Sequence, residues 1–571
     1  MDDMFQDIMK KMQADYDELD IPVCLNHVIC QEFMMEMPDG IRLRTFLYRE
    51  CGGKKNIPVI VQRTPYLHAF DTYKMHAENI AKRGFGYILQ FCRGTGGSEG
   101  EWIPNINERK DGITLLQWLE EQEWVESVGY WGDSYLALTG WCMADEVPKK
   151  VKGMYLGVYG TDRFTSAYEK RMFRQDVLTS WAMENAGYEV EADYLESCRF
   201  RPQLEVDEKL WGKKLPWYRE WITATYKEHP YWQKGFWKML SDIPGKIQIP
   251  VYIAEGWYDH HLGSAIRAYE CMSQEERNKS VLRIGCWNHY SVNCLEWAIP
   301  QNLENSEVKT MMEWFYSLLI EKKQPKSQVR VYIVGEDQWI TVPGWPIPVS
   351  DNKVFYLDGN EHTETDHAFR LKEMKEIKES SVDFLYDPDY PVMSHGGEAM
   401  LKSIDKVGSM YQPDAGYRDD VISFLSEPLE NDVYIGGKIK VILCVSTDCE
   451  DTAFTAKIME VKRDGKAVNI RSSITTIGAE HGENTYCINE KTEVTLEMWD
   501  IAWKLEAGSR IRIDISSSDF PQYCIHTNYA GTWSVQEKCR IAHQKIWCGN
   551  DNNSRVELPV MDNKYLKRRM K

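Results

Sequence analysis

Long hydrophobic runs are missing from these 571 residues. No stretch of about 18 apolar residues occurs, which excludes a membrane-spanning helix. The start, Met1-Asp-Asp-Met-Phe-Gln-Asp-Ile-Met-Lys10, has no basic segment leading into an apolar one, so it does not read as a signal peptide. Paired cysteine motifs are missing as well. The 15 cysteines are odd in number and scattered, without a Cys-x-x-Cys pair, which points to a reduced, cytoplasmic protein. Positive charge is in deficit: 68 lysines and arginines stand against 87 acids, a net charge of −19. That argues against nucleic acid or an anionic membrane as a partner. Nothing in the composition excludes a homo-oligomer.

A phosphate-binding loop is also lacking. Arg93-Gly-Thr-Gly-Gly-Ser-Glu-Gly100 is rich in glycine but has neither Gly-Lys-Ser/Thr nor Gly-x-Gly-x-x-Gly spacing. It reads as a tight turn at the end of a strand, and no nucleotide or other cofactor is expected. What is abundant is aromatic: 21 tryptophans and 31 tyrosines, within an apolar content of 43%. Such a chain is globular and long enough for two or three domains.

The patterning divides the chain into four regions. Residues 1–25 read as an N-terminal helix, with Met4, Phe5, Ile8, Met9 and Met12 on one face. Residues 26–145 and 247–325 form an α/β domain. It begins with a hairpin from Val28 to Tyr48, turned at Pro38-Asp39-Gly40, and continues with buried strands at Val59–Val61 and Tyr87–Phe91 and helices at Asp71–Arg83 and Asp111–Glu123. Residues 146–246 read as a helical cap rich in aromatics, with helices over Phe164–Ala186 and Trp217–Tyr226. Residues 326–571 alternate in the manner of strands, starting with Val329–Gly335, and read as a jelly-roll β-sandwich.

The chemistry gathers at Gly129-Tyr-Trp-Gly-Asp-Ser-Tyr-Leu-Ala-Leu-Thr-Gly140. A short strand, a tight turn and a helix start meet there with Ser134 at the apex, as in a nucleophile elbow. Gly132 supplies the small residue two before the serine; Leu136 stands where a second glycine is usual. An ordinary serine N-cap would look similar, so the case rests on finding an acid and a histidine farther along the chain. Val251-Tyr-Ile-Ala-Glu-Gly-Trp-Tyr-Asp259 is a strand ending in an acid, and Val281-Leu-Arg-Ile-Gly-Cys-Trp-Asn-His289 is a strand ending in a histidine. Both lie where α/β sheets place their sites, in the order Ser, Asp, His of α/β-hydrolases. Asp259, His260, His261 and His289 also contain metal-ligand types. Adjacent histidines on an extended segment point apart and no helix-borne pair accompanies them, so no metal is expected. Trp131, Trp257, Trp181, His260 and His261 are candidates for the substrate pocket.

These residues give the chain its resemblance. It resembles the cocaine-esterase-like hydrolases of the X-Pro dipeptidyl peptidase group, through Arg63-Thr-Pro-Tyr66, Arg93–Gly100, Gly132-Asp-Ser-Tyr135, Gly256-Trp-Tyr-Asp259 and Gly285-Cys-Trp-Asn-His289. In the C-terminal part the similar pieces are Trp345-Pro346, Tyr386-Asp-Pro388, Ser426-Glu-Pro-Leu429, Asp451-Thr-Ala-Phe454 and Ser516-Ser-Ser-Asp-Phe-Pro521. The resemblance implies an α/β-hydrolase domain, a helical cap and a jelly roll. It implies a serine hydrolase acting on a small ester or amide or a short peptide, with Ser134, Asp259 and His289 as catalytic triad. The backbone N–H of Tyr135 and, as the resemblance implies, the hydroxyl of Tyr66 would form the oxyanion hole. Departures from the family pattern are Phe91 for an acid, Cys286 for a proline, and His260 and His261 where α-amino acid ester hydrolases carry acids. The rival readings are an X-Pro dipeptidyl peptidase and, in another class, a non-catalytic binding protein using the jelly roll.

Overall fold

Period-two alternation fixes how the first sheet is built. In the computed structural model, which describes residues 2–52, 55–363, 365–482 and 486–566, Val59 and Val61 lie in one apolar cluster and Ile60 in another. A strand that is apolar at every position therefore serves two cores, one on each face of the sheet. The strands are β1 (Val28–Glu36), β2 (Arg42–Glu50), β3 (Ile57–Thr64), β4 (Gly86–Phe91), β5 (Val125–Asp133) and β6 (Val151–Gly157). A two-residue pair, β7 (Tyr168–Glu169) and β8 (Met172–Phe173), lies apart from the sheet. The main sheet resumes with β9 (Val251–Gly256), β10 (Val281–Gly285), β11 (Gln328–Ile333) and β12 (Gln338–Val342). Its order is β1-β2-β4-β3-β5-β6-β9-β10-β11-β12. From β4 to β11 all neighbours run parallel. Antiparallel pairs finish both edges, with β1 on β2 and β12 on β11.

The N-terminal helix runs over Asp2–Asp17 and stops short of the expected residue 25. The Met4, Phe5 and Ile8 side chains lie outside the described residues. Tyr16 is fully buried against the body, its hydroxyl 2.9 Å from His76 Nδ1.

Between β6 and β9 the chain is mostly short helices, among them Gln175–Glu184, Pro216–Thr223 and Gly235–Asp242. The continuous helix expected over Phe164–Ala186 is interrupted. After the helix Arg163–Ala167, Lys170 and Arg171 take φ of 47° and 73°, the paired positive values that a two-residue type I′ hairpin needs. The hairpin pairs Tyr168 with Phe173 before the second helix starts.

The C-terminal strands are β13 (Val349–Thr363), β14 (Ala368–Lys372), β15 (Ser380–Tyr386), β16 (Ile422–Ser426), β17 (Val433–Thr447) and β18 (Ala453–Val461). They continue as β19 (Ala467–Thr476), β20 (Thr492–Leu505), β21 (Arg510–Ser516), β22 (Ala542–Cys548) and β23 (Arg555–Met561). All eleven belong to one hydrogen-bonded sheet. The expected boundary near residue 325 assigned Val329–Gly335 to this region. The structure pairs β11 with β10 of the first sheet instead, and β12 follows it as an antiparallel edge. No described helix is long and apolar enough to cross a membrane, and the fifteen cysteines are free thiols.

Candidate active site

Ser134 follows the last residue of β5 and precedes the helix Tyr135–Trp141. Its backbone sits at φ 54°, ψ −124°, a conformation that a non-glycine residue adopts only when its surroundings enforce it. Enforcement comes from close contact. A Cβ on Gly132 would lie 2.2 Å from the carbonyl oxygen of Leu136, so only glycine lets the helix start fold back on the strand. The Leu136 carbonyl accepts from the Thr139 hydroxyl at 2.8 Å and the Tyr130 hydroxyl at 3.2 Å.

The three residues singled out from separate strand ends form one hydrogen-bonded row. His289 Nε2 lies 2.9 Å from Ser134 Oγ, and His289 Nδ1 lies 2.5 Å from Asp259 Oδ2. The other oxygen of Asp259 accepts from the His261 N–H at 2.6 Å. Asp259 is fully buried. Burial pushes its carboxyl up, but the neighbouring imidazoles of His289 and His260 and the two N–H donors outweigh that and hold it below the ordinary range.

His260 and His261 are buried beside the row, with the His260 ring centroid 4.3 Å from that of His289. Burial first, and after it the neighbouring His261 and His289 for His260 and the Arg163 charge for His261, push both imidazoles well below their ordinary pKa, so both are neutral near pH 7. His261 Nδ1 is 2.8 Å from the Ser166 hydroxyl. Asp259, His260 and His289 offer metal-ligand atoms within 4.8 Å of one another. Two of those three residues already face each other through the short Asp259–His289 hydrogen bond, and a metal would have to replace it.

Tyr66 ends the extended segment after β3. Its phenol accepts from Trp181 Nε1 at 3.2 Å, which leaves its own proton to donate elsewhere. Burial is the main reason the phenol is pushed well above its usual range; it stays a neutral donor. The Tyr135 ring lies alongside, 5.9 Å away at 69°. The Tyr135 N–H opens the helix and has no carbonyl four residues earlier within it to bind. Trp181 reaches this point from the helical segment and stacks on Tyr135 at 6.3 Å and 8°. Trp102, Trp217 and Trp221 surround it at about 6 Å.

Two expected pocket residues lie elsewhere. Trp131 is in the core on the face opposite Tyr130, where its indole N–H faces Asp133 Oδ2 at 3.0 Å and Glu307 Oε1 at 2.9 Å. Adjacent residues on a strand point to opposite faces, and this pair does. Trp257 is fully buried and donates to the Tyr332 carbonyl at 2.8 Å. The glycine-rich loop is a clasp. Arg93 binds Asp111 at 2.7 Å and Asp39 at 2.9 Å, which ties the loop to the first hairpin and to the helix Glu108–Glu121.

A buried network behind Tyr135 escaped the sequence reading. Arg63, with no exposed surface, pairs with Glu108 at 3.1 Å and donates to Gln90 at 2.9 Å. Glu108 accepts the Tyr135 hydroxyl at 2.9 Å, and that hydroxyl accepts from the Asn105 N–H and Trp102 Nε1. The available signal was a lone arginine inside the apolar run Val59-Ile-Val-Gln-Arg63.

Comparison with known proteins agrees with this fold. Residues 39–291 match the model of the X-Pro dipeptidyl-peptidase (S15) family, and residues 321–557 match that of the X-Pro dipeptidyl-peptidase C-terminal non-catalytic domain. The cocaine esterase of Rhodococcus sp. (strain MB1 Bresler) is 26% identical over 577 residues, covering 94% of this chain and 99% of that protein. Among solved structures, an aminopeptidase from a marine sediment Thaumarchaeota archaeon superposes with a TM-score of 0.78 at 18% identity, covering 95% of this chain and 99% of the other. An α-amino acid ester hydrolase gives 0.78 at 19% identity, with 94% and 97% covered. At these identities the two structures speak for the fold alone.

Proposed function

Because this chain belongs to the cocaine-esterase and X-Pro dipeptidyl-peptidase family of serine hydrolases, we propose that Ser134 is its nucleophile, His289 its general base and acid, and Asp259 the residue that orients His289. The Ser134–His289–Asp259 row, 2.9 and 2.5 Å long at the ends of parallel strands, carries this reading. In the forward step His289 Nε2 takes the Ser134 proton as Oγ attacks the carbonyl of an ester or amide. Asp259 holds the N–H at Nδ1, so Nε2 is the free base, and it stabilises the imidazolium that forms. The same imidazolium then gives its proton to the leaving group, and water repeats the cycle on the acyl-enzyme. Charge on the carbonyl oxygen falls to the Tyr135 N–H and the Tyr66 hydroxyl, donors fixed before the reaction starts.

The substrate we assign is a small ester or amide, or a short peptide, with an apolar group against Trp181, Trp102 and Tyr135. Three aromatic rings within about 6 Å of one another beside the nucleophile favour a flat or bulky group there. The unpaired cysteines support placing the protein in a reducing compartment such as the cytoplasm. A fluorophosphonate probe should label Ser134, and Ser134→Ala should abolish both labelling and turnover; labelling that survives the substitution overturns the assignment. A panel of p-nitrophenyl esters, acyl amides and Gly-Pro-p-nitroanilide then separates esterase from dipeptidyl-peptidase specificity.

A further inference from the structure

The two histidines after Asp259 do not point apart as adjacent residues of an extended segment would. They lie in a turn. The Asp259 N–H closes on the Gly256 carbonyl at 3.1 Å and the Leu262 N–H on the Asp259 carbonyl at 3.3 Å. His261 stands at φ −102°, ψ −2°, directly before the helix Leu262–Cys271. The turn brings the His260 and His261 rings together, with centroids 4.2 Å apart. They form the middle of a column of rings. Tyr159 lies 4.2 Å beyond His261, and His289 lies 4.3 Å beyond His260 at an interplanar angle of 38°. Tyr159, His260 and His261 are all buried. The end of the column away from His289 is anchored. A Cβ on Gly160 would lie 2.1 Å from the backbone of Ser264, so only glycine lets the Tyr159 segment pack this closely on the helix. His261 Nδ1 is 2.8 Å from the Ser166 hydroxyl.

We infer that His260 is a positioning residue for the general base: its ring, set by this column against His289, holds the imidazole in line between Ser134 and Asp259 and stabilises the imidazolium that forms when Ser134 gives up its proton. The hydrogen bonds of His289 sit at its two nitrogens. They do little to stop the ring tilting about the line that joins them, whereas a packed ring beside it does. The second effect is electrostatic. A cation within about 6 Å of a ring centroid is attracted by the ring, most strongly where water is excluded. His260 meets both conditions with respect to His289. Burial keeps the His260 imidazole uncharged near pH 7, so it offers His289 a ring and not a second cation. The Arg163 charge also bears on His260 and His261, but its guanidinium is held over Trp221 at 4.9 Å and Trp237 at 5.8 Å.

The inference rests on the triad reading, so its test includes a readout that does not need turnover. The proton between His289 Nδ1 and Asp259 should give a downfield proton NMR resonance, assigned by its loss in Asp259→Asn. It should keep its position in His260→Phe, which retains a ring, and broaden or move in His260→Leu, which fills the space without one. An identical resonance in His260→Leu overturns the proposal, whatever the nucleophile proves to be. Failure of the triad reading would show elsewhere, as labelling that survives Ser134→Ala. In activity, His260→Leu should lower kcat by about 3- to 30-fold, the range expected for losing a contact between a cation and a ring, with KM changed less than about twofold. His260→Phe should recover most of that loss. A leucine variant as fast as the wild type overturns the proposal, and so does a phenylalanine variant as slow as the leucine one. If His260→Leu does not fold, His260→Ala takes its place in both measurements.

Discussion

Both large sheets bury charge, but they use it differently. In the first sheet the triad groups collect at the carboxyl ends of parallel strands: half-buried Ser134 after β5, buried Asp259 after β9 and half-buried His289 after β10. There the groups meet in one hydrogen-bonded row. Beside the C-terminal sheet one buried ionic cluster faces the rest of the molecule. Glu398 lies 3.8 Å from Arg174 of the helical segment and 3.8 Å from Arg471 of β19. Arg471 donates to the Asp500 carbonyl at 2.7 Å and lies 5.2 Å over the Tyr258 ring. Tyr258 is the residue before Asp259. The second sheet thus supports the loop that carries the acid, without adding a residue to the hydrogen-bonded row. One edge holds groups poised to change charge; the other holds groups paired so that they do not.

Substitution should separate the two kinds of edge. The largest effect is expected at Asp259→Asn, which keeps the shape and fixes the wrong imidazole tautomer. It should lower kcat by about 10⁴, as in serine proteases, with thermal unfolding nearly unchanged; a loss under tenfold breaks the comparison from the catalytic side. Next comes Arg471→Met. Removing one partner from a buried ionic cluster leaves Glu398 undercompensated and should cost about 3–5 kcal/mol of stability in chemical unfolding. Its kcat below the unfolding transition should fall far less than that of Asp259→Asn. Equal losses in kcat would mean that the β-domain cluster belongs to the site. Tyr66→Phe tests the seam, because its ring packs against Tyr135 and its hydroxyl faces Trp181. It should lower kcat by about 10²–10³, or roughly 2.7–4 kcal/mol, with little change in KM. A variant at the wild-type rate would make the phenol a packing group only.

Much of this was legible in the chain because the first sheet announces itself locally. Each triad residue closes an apolar run, and a run that ends in a turn marks the edge where α/β sites form. The face of a residue is harder to read when both faces are buried. Trp131 and Trp257 sit within three residues of Ser134 and Asp259, yet each serves a core, since nothing polar alternates along these strands to mark the site side. Long-range pairing is harder still. β11 and β12 alternate like the strands after them, and only their partner β10, more than forty residues earlier, assigns them to the first sheet. Arg63 shows the opposite case: a charge at the end of an apolar strand was visible, but its partner Glu108 comes from the fold.

The smallest predicted effect lies on the face away from the site, and its sign is set by burial alone. His76 is 4% exposed, its ring stands edge-on to Trp131 at 4.8 Å, and its Nδ1 meets the Tyr16 hydroxyl. Burial lowers its pKa to about 3, whereas in the unfolded chain it titrates near about 6.5. Between those values the unfolded state carries a proton that the folded state does not. Stability due to this histidine is therefore complete above about pH 6.5 and is lost as pH falls toward the folded value, by up to about 1.4 kcal/mol per pH unit. His76→Gln cannot titrate but can still meet Tyr16. Urea unfolding at pH 7.5, 6 and 5 should show a shallower acid loss in the variant by about that slope, while kcat at pH 7.5 stays within about twofold. Parallel stability curves for variant and wild type would mean that His76 takes up its proton without unfolding. The N-terminal helix would then yield to acid locally, and the two faces of the first sheet would differ in rigidity as well as in chemistry.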